Sequence, residues 1–369
     1  VAVRGYRSLR ELVLPVTRLT VVTGANGTGK SSVYRALRLL ADCGRGEVIG
    51  SLAHEGGVQS ARWAGRVSKD RPAEVKIGYG ADDFGYLIDL GLPVPARSMF
   101  DYDPQIKKEV VFAGTTPRPG STLVRRKGAL AEARAVSGSG FVELTRALPS
   151  YLSVLSEFAH PGELPEVACV RDRLRSWRFY DGFRVDADAP ARRPHVGTRT
   201  PVLADDGADL PAAVQTIIEA GSGSGSTELA AAIADAFEGA TMSVVSTGGV
   251  FDLRLHLPGV LRPLHTAELS DGTLRFMLWA TALLSPQPPS LLVLNEPETS
   301  LHPDLMAPLA DLIRTAANRT QVFVITHSAA LLAGLAHQAA LVELVKENGE
   351  TRIAEQRLVD APSWHWGTR

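Results

Sequence analysis

Short apolar runs punctuate both ends of the chain. Leu19-Thr20-Val21-Val22-Thr23 is β-prone, and Leu291-Leu292-Val293-Leu294 and Val322-Phe323-Val324-Ile325 read as buried strands ending in polar residues. Val1-Ala2-Val3 and Leu12-Val13-Leu14 also read as strands, and residues 73–80 and 84–90 predict a hairpin across Ala81-Asp82-Asp83. A second hairpin is predicted at Asn348-Gly349, between residues 341–345 and 351–354. The helical rhythm is clearest from Ser31 onward (Val33, Leu37, Leu39, Leu40) and over residues 274–284. Residues 123–136 and 141–158 carry helical periodicity as well, in stretches interrupted by Pro and Arg. This texture predicts three parts: residues 1–115, a helical arm or lid inserted over 116–235, and residues 236–369.

Residues 33–268 contain no sustained heptads, which excludes a long coiled coil from the insertion. Gly221-Ser222-Gly223-Ser224-Gly225-Ser226 has the composition of a flexible linker, natural or engineered. At 369 residues the chain can bury a large core and split into more than one lobe. Its net charge of −1 gives no global basic field, so any nucleic-acid surface has to be a local patch. Only two cysteines occur, Cys43 and Cys169, without metal spacing, which suits a reducing cytosol. No apolar run reaches about 18 residues, so no membrane span is expected.

The most specific chemistry lies in residues 24–32, Gly-Ala-Asn-Gly-Thr-Gly-Lys-Ser-Ser. This is a phosphate loop set between a strand and a helix. Gly24, Gly27 and Gly29 let backbone N–H groups converge, with Asn26, Thr28 and Ser32 in the same cradle at a helix N-terminus. Lys30 is expected on the β- and γ-phosphates of ATP, and the Ser31 hydroxyl on Mg²⁺. Four further motifs follow in order: Leu269-Ser270-Asp271-Gly272-Thr273, the strand ending in Asn295-Glu296-Pro297-Glu298, Ser300-Leu301-His302-Pro303, and Thr326-His327-Ser328.

In this order the motifs resemble the signature, Walker B, D-loop and switch histidine of RecF/SMC-like ABC-type ATPases, the AAA15/AAA21, OLD-related group. Trp177-Arg178-Phe179-Tyr180 and Asp206-Gly207-Ala208-Asp209-Leu210 resemble the same group. The resemblance implies an α/β fold. It is an ABC-type P-loop ATPase head with a central mixed sheet, an antiparallel β subdomain and the inserted arm. On this reading the first part is a lobe carrying Walker A and the last a lobe carrying the other motifs. It implies that Glu296 polarises the attacking water and that His327 contacts the γ-phosphate. Ser270, Asp271 and Gly272 would act in trans, capping the nucleotide held by a second copy in an ATP-dependent homodimer. Ser300, Leu301 and His302 fall in the D-loop. Arg7 lies where related proteins contact nucleotide. Gln59 is the candidate Mg²⁺-sensing glutamine; the alternative is a solvated loop residue.

Asn295 departs from the pattern, which usually has Asp there. Losing a charge beside the cation should weaken Mg²⁺ binding and slow turnover. Arg171, Arg173, Arg175 and Arg178 interleave with aromatics, which reads either as a DNA patch or as a salt-bridged arm with aromatic core contacts. The resemblance implies work on DNA, in repair or phage defence. No nuclease motif is evident in this sequence, so a partner effector such as a nuclease would carry that activity. The alternative is a nucleotide-gated scaffold that scarcely hydrolyses. A transporter subunit is disfavoured by the wide spacing between phosphate loop and signature.

Overall fold

A computed structural model describes residues 1–65, 74–93, 99–100, 103–136, 140–220, 225–354 and 364–367. The chain forms two compact units that interleave along the sequence. One comprises Val1–Pro15, Gly24–Trp177 and Glu343–Arg369; the other comprises Val16–Thr23 and Arg178–Val342.

The first unit is built on an eight-stranded sheet. Its order across the sheet is Leu9–Val13, Ala2–Tyr6, Glu74–Tyr79, Phe84–Gly91, Gln105–Ala113, Thr122–Lys127, Leu130–Arg134 and Phe141–Thr145. Every neighbouring pair is antiparallel. Val75, Ile77, Ile88, Val111 and Val124 are buried on one face of this sheet. Helix Lys30–Arg45 buries Val33, Ala36, Leu37 and Leu40, the spacing of one helical face. It packs on helix Pro165–Ser176, where a Cβ on Gly44 would lie 2.6 Å from Leu174 Cβ. Only hydrogen at that position permits so close a crossing. The predicted hairpins at 73–90 and 341–354 form, and in the second Asn348 and Gly349 both take positive φ (51° and 84°).

The helices expected over 123–136 and 141–158 do not form. These residues are strands Thr122–Lys127, Leu130–Arg134 and Phe141–Thr145, followed by one short helix, Val154–Glu157. The misleading residue is Arg126. It sits at a core-facing position two residues after Val124, where an apolar residue would have displayed the period of two. Its guanidinium is fully buried against Glu109 (3.0 Å) and donates to the carbonyls of Gly128, Pro149 and Leu152. Further α-helices among the described residues that follow are Pro165–Ser176, Leu210–Glu219 and Gly225–Ala236. Residues 221–224 of the Gly-Ser run lie outside the described residues, and Gly225 and Ser226 open the last of these helices.

In the second unit four strands run parallel in the order Arg178–Tyr180, Leu291–Asn295, Gln321–Ile325, Leu19–Thr23. The central strands are apolar over residues 291–294 and 322–325 because both faces are covered there, as parallel sheets require. Trp279, Phe276, Leu309 and Ile313 from helices Asp271–Leu283 and Met306–Ala317 belong to this core. The register aligns Tyr180 with Leu294, Asn295 with Ile325, and Ile325 with Val22. Asp181, Glu296 and Thr326 therefore leave the sheet at one end. That carboxyl end is where open α/β sheets place ligands.

Candidate nucleotide site

The phosphate loop leaves strand Leu19–Thr23 at Gly24 and ends in helix Lys30–Arg45. Gly24, Gly27 and Gly29 all have positive φ (146°, 79° and 110°). At Gly29 the need for glycine is double. The conformation disfavours a side chain, and a Cβ would lie 2.1 Å from Thr351 Oγ1 and 2.8 Å from Ser8 Oγ. Those two hydroxyls brace the loop from outside. Thr351 Oγ1 lies 2.7 Å from both Ser8 Oγ and the Thr28 carbonyl, and Ser8 Oγ lies 3.0 Å from Ser32 Oγ. Thr28 Oγ1 donates to the Ala25 carbonyl at 2.9 Å.

Lys30 is buried. Its Nζ reaches back over the loop to the carbonyls of Gly24 (2.6 Å) and Ala25 (3.1 Å). A cation held this way over the loop carbonyls has no acid partner among the described residues, a pose suited to an anion. Ala25, Asn26, Gly27 and Ser31 are exposed.

At the carboxyl end of the parallel sheet, Glu296 has φ of 49°, a left-handed conformation that is uncommon for a side chain of its length. Its N–H donates to the Ile325 carbonyl at 2.8 Å, which fixes the turn, and Glu296 Oε1 lies 3.5 Å from His327 Nδ1. Glu298, two residues on, is buried. Glu298 Oε1 accepts from Thr326 Oγ1 (2.5 Å) and from the N–H groups of His327 and Ser328 (3.2 Å each). It therefore sets the backbone that presents His327. Asn295 Nδ2 donates to Asp181 Oδ1. Asp181, Asn295, Glu296, Arg275 and Trp279 share a cavity of about 260 Å³.

Ser270 caps helix Asp271–Leu283, its Oγ accepting from the Thr273 N–H at 3.1 Å. Ser270 and Asp271 are exposed. The loop is shaped from below by Arg192, which is buried. Arg192 donates to Asp271 Oδ1 (2.6 Å) and to the carbonyls of Val185, Thr266 and Leu269. Arg275 on the same helix donates to the Thr299 carbonyl at 2.9 Å, joining that helix to the turn before Ser300.

The profile of the AAA_21 family, described as "AAA domain, putative AbiEii toxin, Type IV TA system", matches residues 19–333. The chain belongs to this AAA-domain family. No protein of curated function matches the sequence. Among solved structures, the SMC head bound to the C-terminal winged-helix domain of ScpA is similar over 98% of both chains, at 14% identity and TM-score 0.52. The Smc head with an extended coiled coil from Pyrococcus furiosus, bound to the C-terminal domain of ScpA, is similar over 98% of this chain and 96% of that one (13%, TM-score 0.50). At such identities the likeness is one of fold. The AAA-domain chain has the ABC-type, SMC-head-like ATPase fold.

The other expected residues are placed as follows. Ser300 has φ of 59°, and His302 Nδ1 lies 3.1 Å from Asp304. Arg7 is held by Glu55, Nη2 to Oε2 at 2.6 Å, and that carboxylate also accepts from Tyr6. Gln59 is exposed on the short helix Gly57–Ala61. In the arginine-rich stretch several side chains pair within the chain. Arg173 clasps Asp83 through both terminal nitrogens at 2.6 Å, and Arg171 reaches Asp172 and the Ala159 carbonyl. Trp177, Phe179 and Tyr180 are buried, so these rings offer no stacking surface to bases. Arg175 and Arg178 also carry interactions within the chain.

Sequence reasoning missed Asp181, Glu298, Thr351 and Arg192 as site residues. Glu298 had a signal, since a carboxylate directly after a buried strand and a proline has to find donors. Among the described residues no group of three or more His, Cys, Asp or Glu is arranged to hold a metal ion.

Proposed function

We propose that this chain binds ATP with Mg²⁺, dimerises around it, and hydrolyses it slowly, acting in DNA maintenance or phage defence. The observation that carries the reading is the phosphate loop, where three left-handed glycines and a buried Lys30 held by loop carbonyls form an anion cradle. Lys30 and the amides of residues 24–32 would hold the phosphates, with Asn26, Thr28 and Ser32 shaping the cradle. Ser31 and Asn295 are the groups proposed for Mg²⁺, whose chemistry is to neutralise charge on the phosphates. Arg7 and Gln59 have weaker support, since Glu55 occupies the first and the second lies on an exposed short helix.

Phosphoryl transfer to water asks the protein for position and electrostatics more than for covalent chemistry. Glu296 is the proposed group that accepts the proton of the attacking water. Its left-handed backbone turns it away from the strand direction, and Glu298 holds His327 beside it. The Ser270-Asp271-Gly272 turn, exposed at Ser270 and Asp271 and set at a helix N-terminus, is suited to capping the phosphate of a second protomer. Ser300, Leu301 and His302 follow the turn that Arg275 ties to that helix and would report the partner's state. The solved SMC heads carry a ScpA domain, and by analogy this head works with a partner effector.

One observation favours a nucleotide-gated scaffold as second reading: Asn295 stands where an aspartate is usual, which favours binding over turnover. Steady-state ATPase measurements with and without duplex DNA separate the two. DNA-stimulated turnover supports the first reading. Tight ATP binding with no turnover in either condition supports the scaffold.

A further inference from the structure

Position 295 lacks a carboxylate, yet a carboxylate is present beside it. Strand Arg178–Tyr180 pairs in parallel with Leu291–Asn295, Tyr180 opposite Leu294. The next residue of each strand is therefore a neighbour at the sheet's carboxyl end, and these residues are Asp181 and Asn295. They are joined by the hydrogen bond from Asn295 Nδ2 to Asp181 Oδ1. We propose that the acidic role of the Walker B strand is divided between two strands. Asp181 supplies the negative charge toward Mg²⁺-ATP and, as a positioning residue, orients Asn295. This rests on the ATPase reading above.

The chemistry of the amide makes the arrangement specific. An asparagine side chain offers one donor group and one acceptor oxygen, and the hydrogen-bond network decides which way round they lie. Because Asp181 takes the Nδ2 side, the opposite orientation would set Oδ1 against a carboxylate oxygen. Asn295 Oδ1 is thereby committed to point elsewhere as an acceptor. The pair then carries one negative charge and one oriented acceptor, as an aspartate with a neutral neighbour would.

The surroundings fit a polar occupant. The cavity of about 260 Å³ lined by Asp181, Asn295, Glu296 and Arg275 is also lined by Trp279. Trp279 is fully buried and its indole N–H has no acceptor among the described residues. Buried donors of this kind are usually matched by water or a ligand oxygen.

The test is a charge swap read by binding. Calorimetry measures a non-hydrolysable ATP analogue against wild type, Asp181→Asn and the double variant Asp181→Asn/Asn295→Asp, each in Mg²⁺ and in EDTA. Asp181→Asn should lose about 10–100-fold of the affinity gained on adding Mg²⁺, the usual effect of a group just outside the metal's own ligands, with EDTA affinity unchanged. The double variant keeps one carboxylate and one amide in contact, with positions exchanged, and should regain the Mg²⁺ response. Thermal melting of both variants shows whether the pair has been preserved. An Asp181→Asn protein with the wild-type Mg²⁺ response, or a folded double variant that does not recover, overturns the proposal. If wild type itself binds no nucleotide in either buffer, the ATPase reading fails, a result distinct from either of these.

Discussion

Thr326 Oγ1 donates to Glu298 Oε1 at 2.5 Å, a bond between the residue just after one buried strand and a carboxylate three residues beyond the end of the strand beside it. The same oxygen gathers two backbone N–H groups, those of His327 and Ser328. Glu298→Ala would leave the Thr326 hydroxyl and the His327 N–H without this acceptor in a buried setting, while the Ser328 N–H keeps Thr326 Oγ1 at 3.0 Å. The expected loss is about 1–3 kcal/mol of stability, seen as a lower melting temperature. Glu298→Gln keeps an acceptor oxygen and should lose less. Equal melting temperatures for Glu298→Ala and wild type would contradict the clamp.

Lys30→Ala should abolish nucleotide binding, because the cation held over the loop by the Gly24 and Ala25 carbonyls is removed. Calorimetry with a non-hydrolysable analogue measures it. Unchanged affinity would refute the phosphate-loop assignment.

Glu296→Gln should accumulate an ATP-bound dimer, since the binding groups remain while acceptance of the water proton is lost. Ser270→Arg, placed in the exposed turn at the start of helix Asp271–Leu283, should prevent that dimer by filling the space above a partner's phosphate. Light scattering with ATP and Mg²⁺ gives the mass directly. A Glu296→Gln protein that stays monomeric at saturating ATP would rule out the sandwich.

The hydrogen bonds from Arg173, and after them the Phe84 N–H and the Arg173 charge, hold the Asp83 carboxyl down to about 2 against the opposing effect of burial. A depressed acid contributes stability above its unfolded value near 3.8 and loses it as pH falls toward 2. Melting temperature should therefore drop through this window more steeply in wild type than in Arg173→Leu. Asp83 is nearly half exposed, so solvent screening keeps the difference small. Parallel curves for the two proteins would show that the pair contributes nothing.

Local features were legible in the sequence because neighbouring residues fix them. Asn348-Gly349 needs only its own left-handed preference to close a hairpin, and the phosphate loop needs only its glycines and the helix that follows. The runs at 291–295 and 321–325 announce buried strands through composition alone. Legibility failed where a polar residue holds a core position. Arg126 and Glu109 neutralise each other inside the first unit, so the strand carrying Arg126 loses its alternation and reads as a helix.

The sequence by itself determined the phosphate loop, the order of the five motifs and the strands and helices that carry them. These depend on backbone preference and on contacts a few residues apart. Only the tertiary structure decided which side chains complete them. Asp181 meets Asn295 across 114 positions, and Arg192 meets Asp271 across 79. Each meeting depends on which elements lie side by side, and for Asp181 on the register of a parallel strand pair as well. Such placement is set by burial of whole faces across a core, a property that no short window of the chain contains.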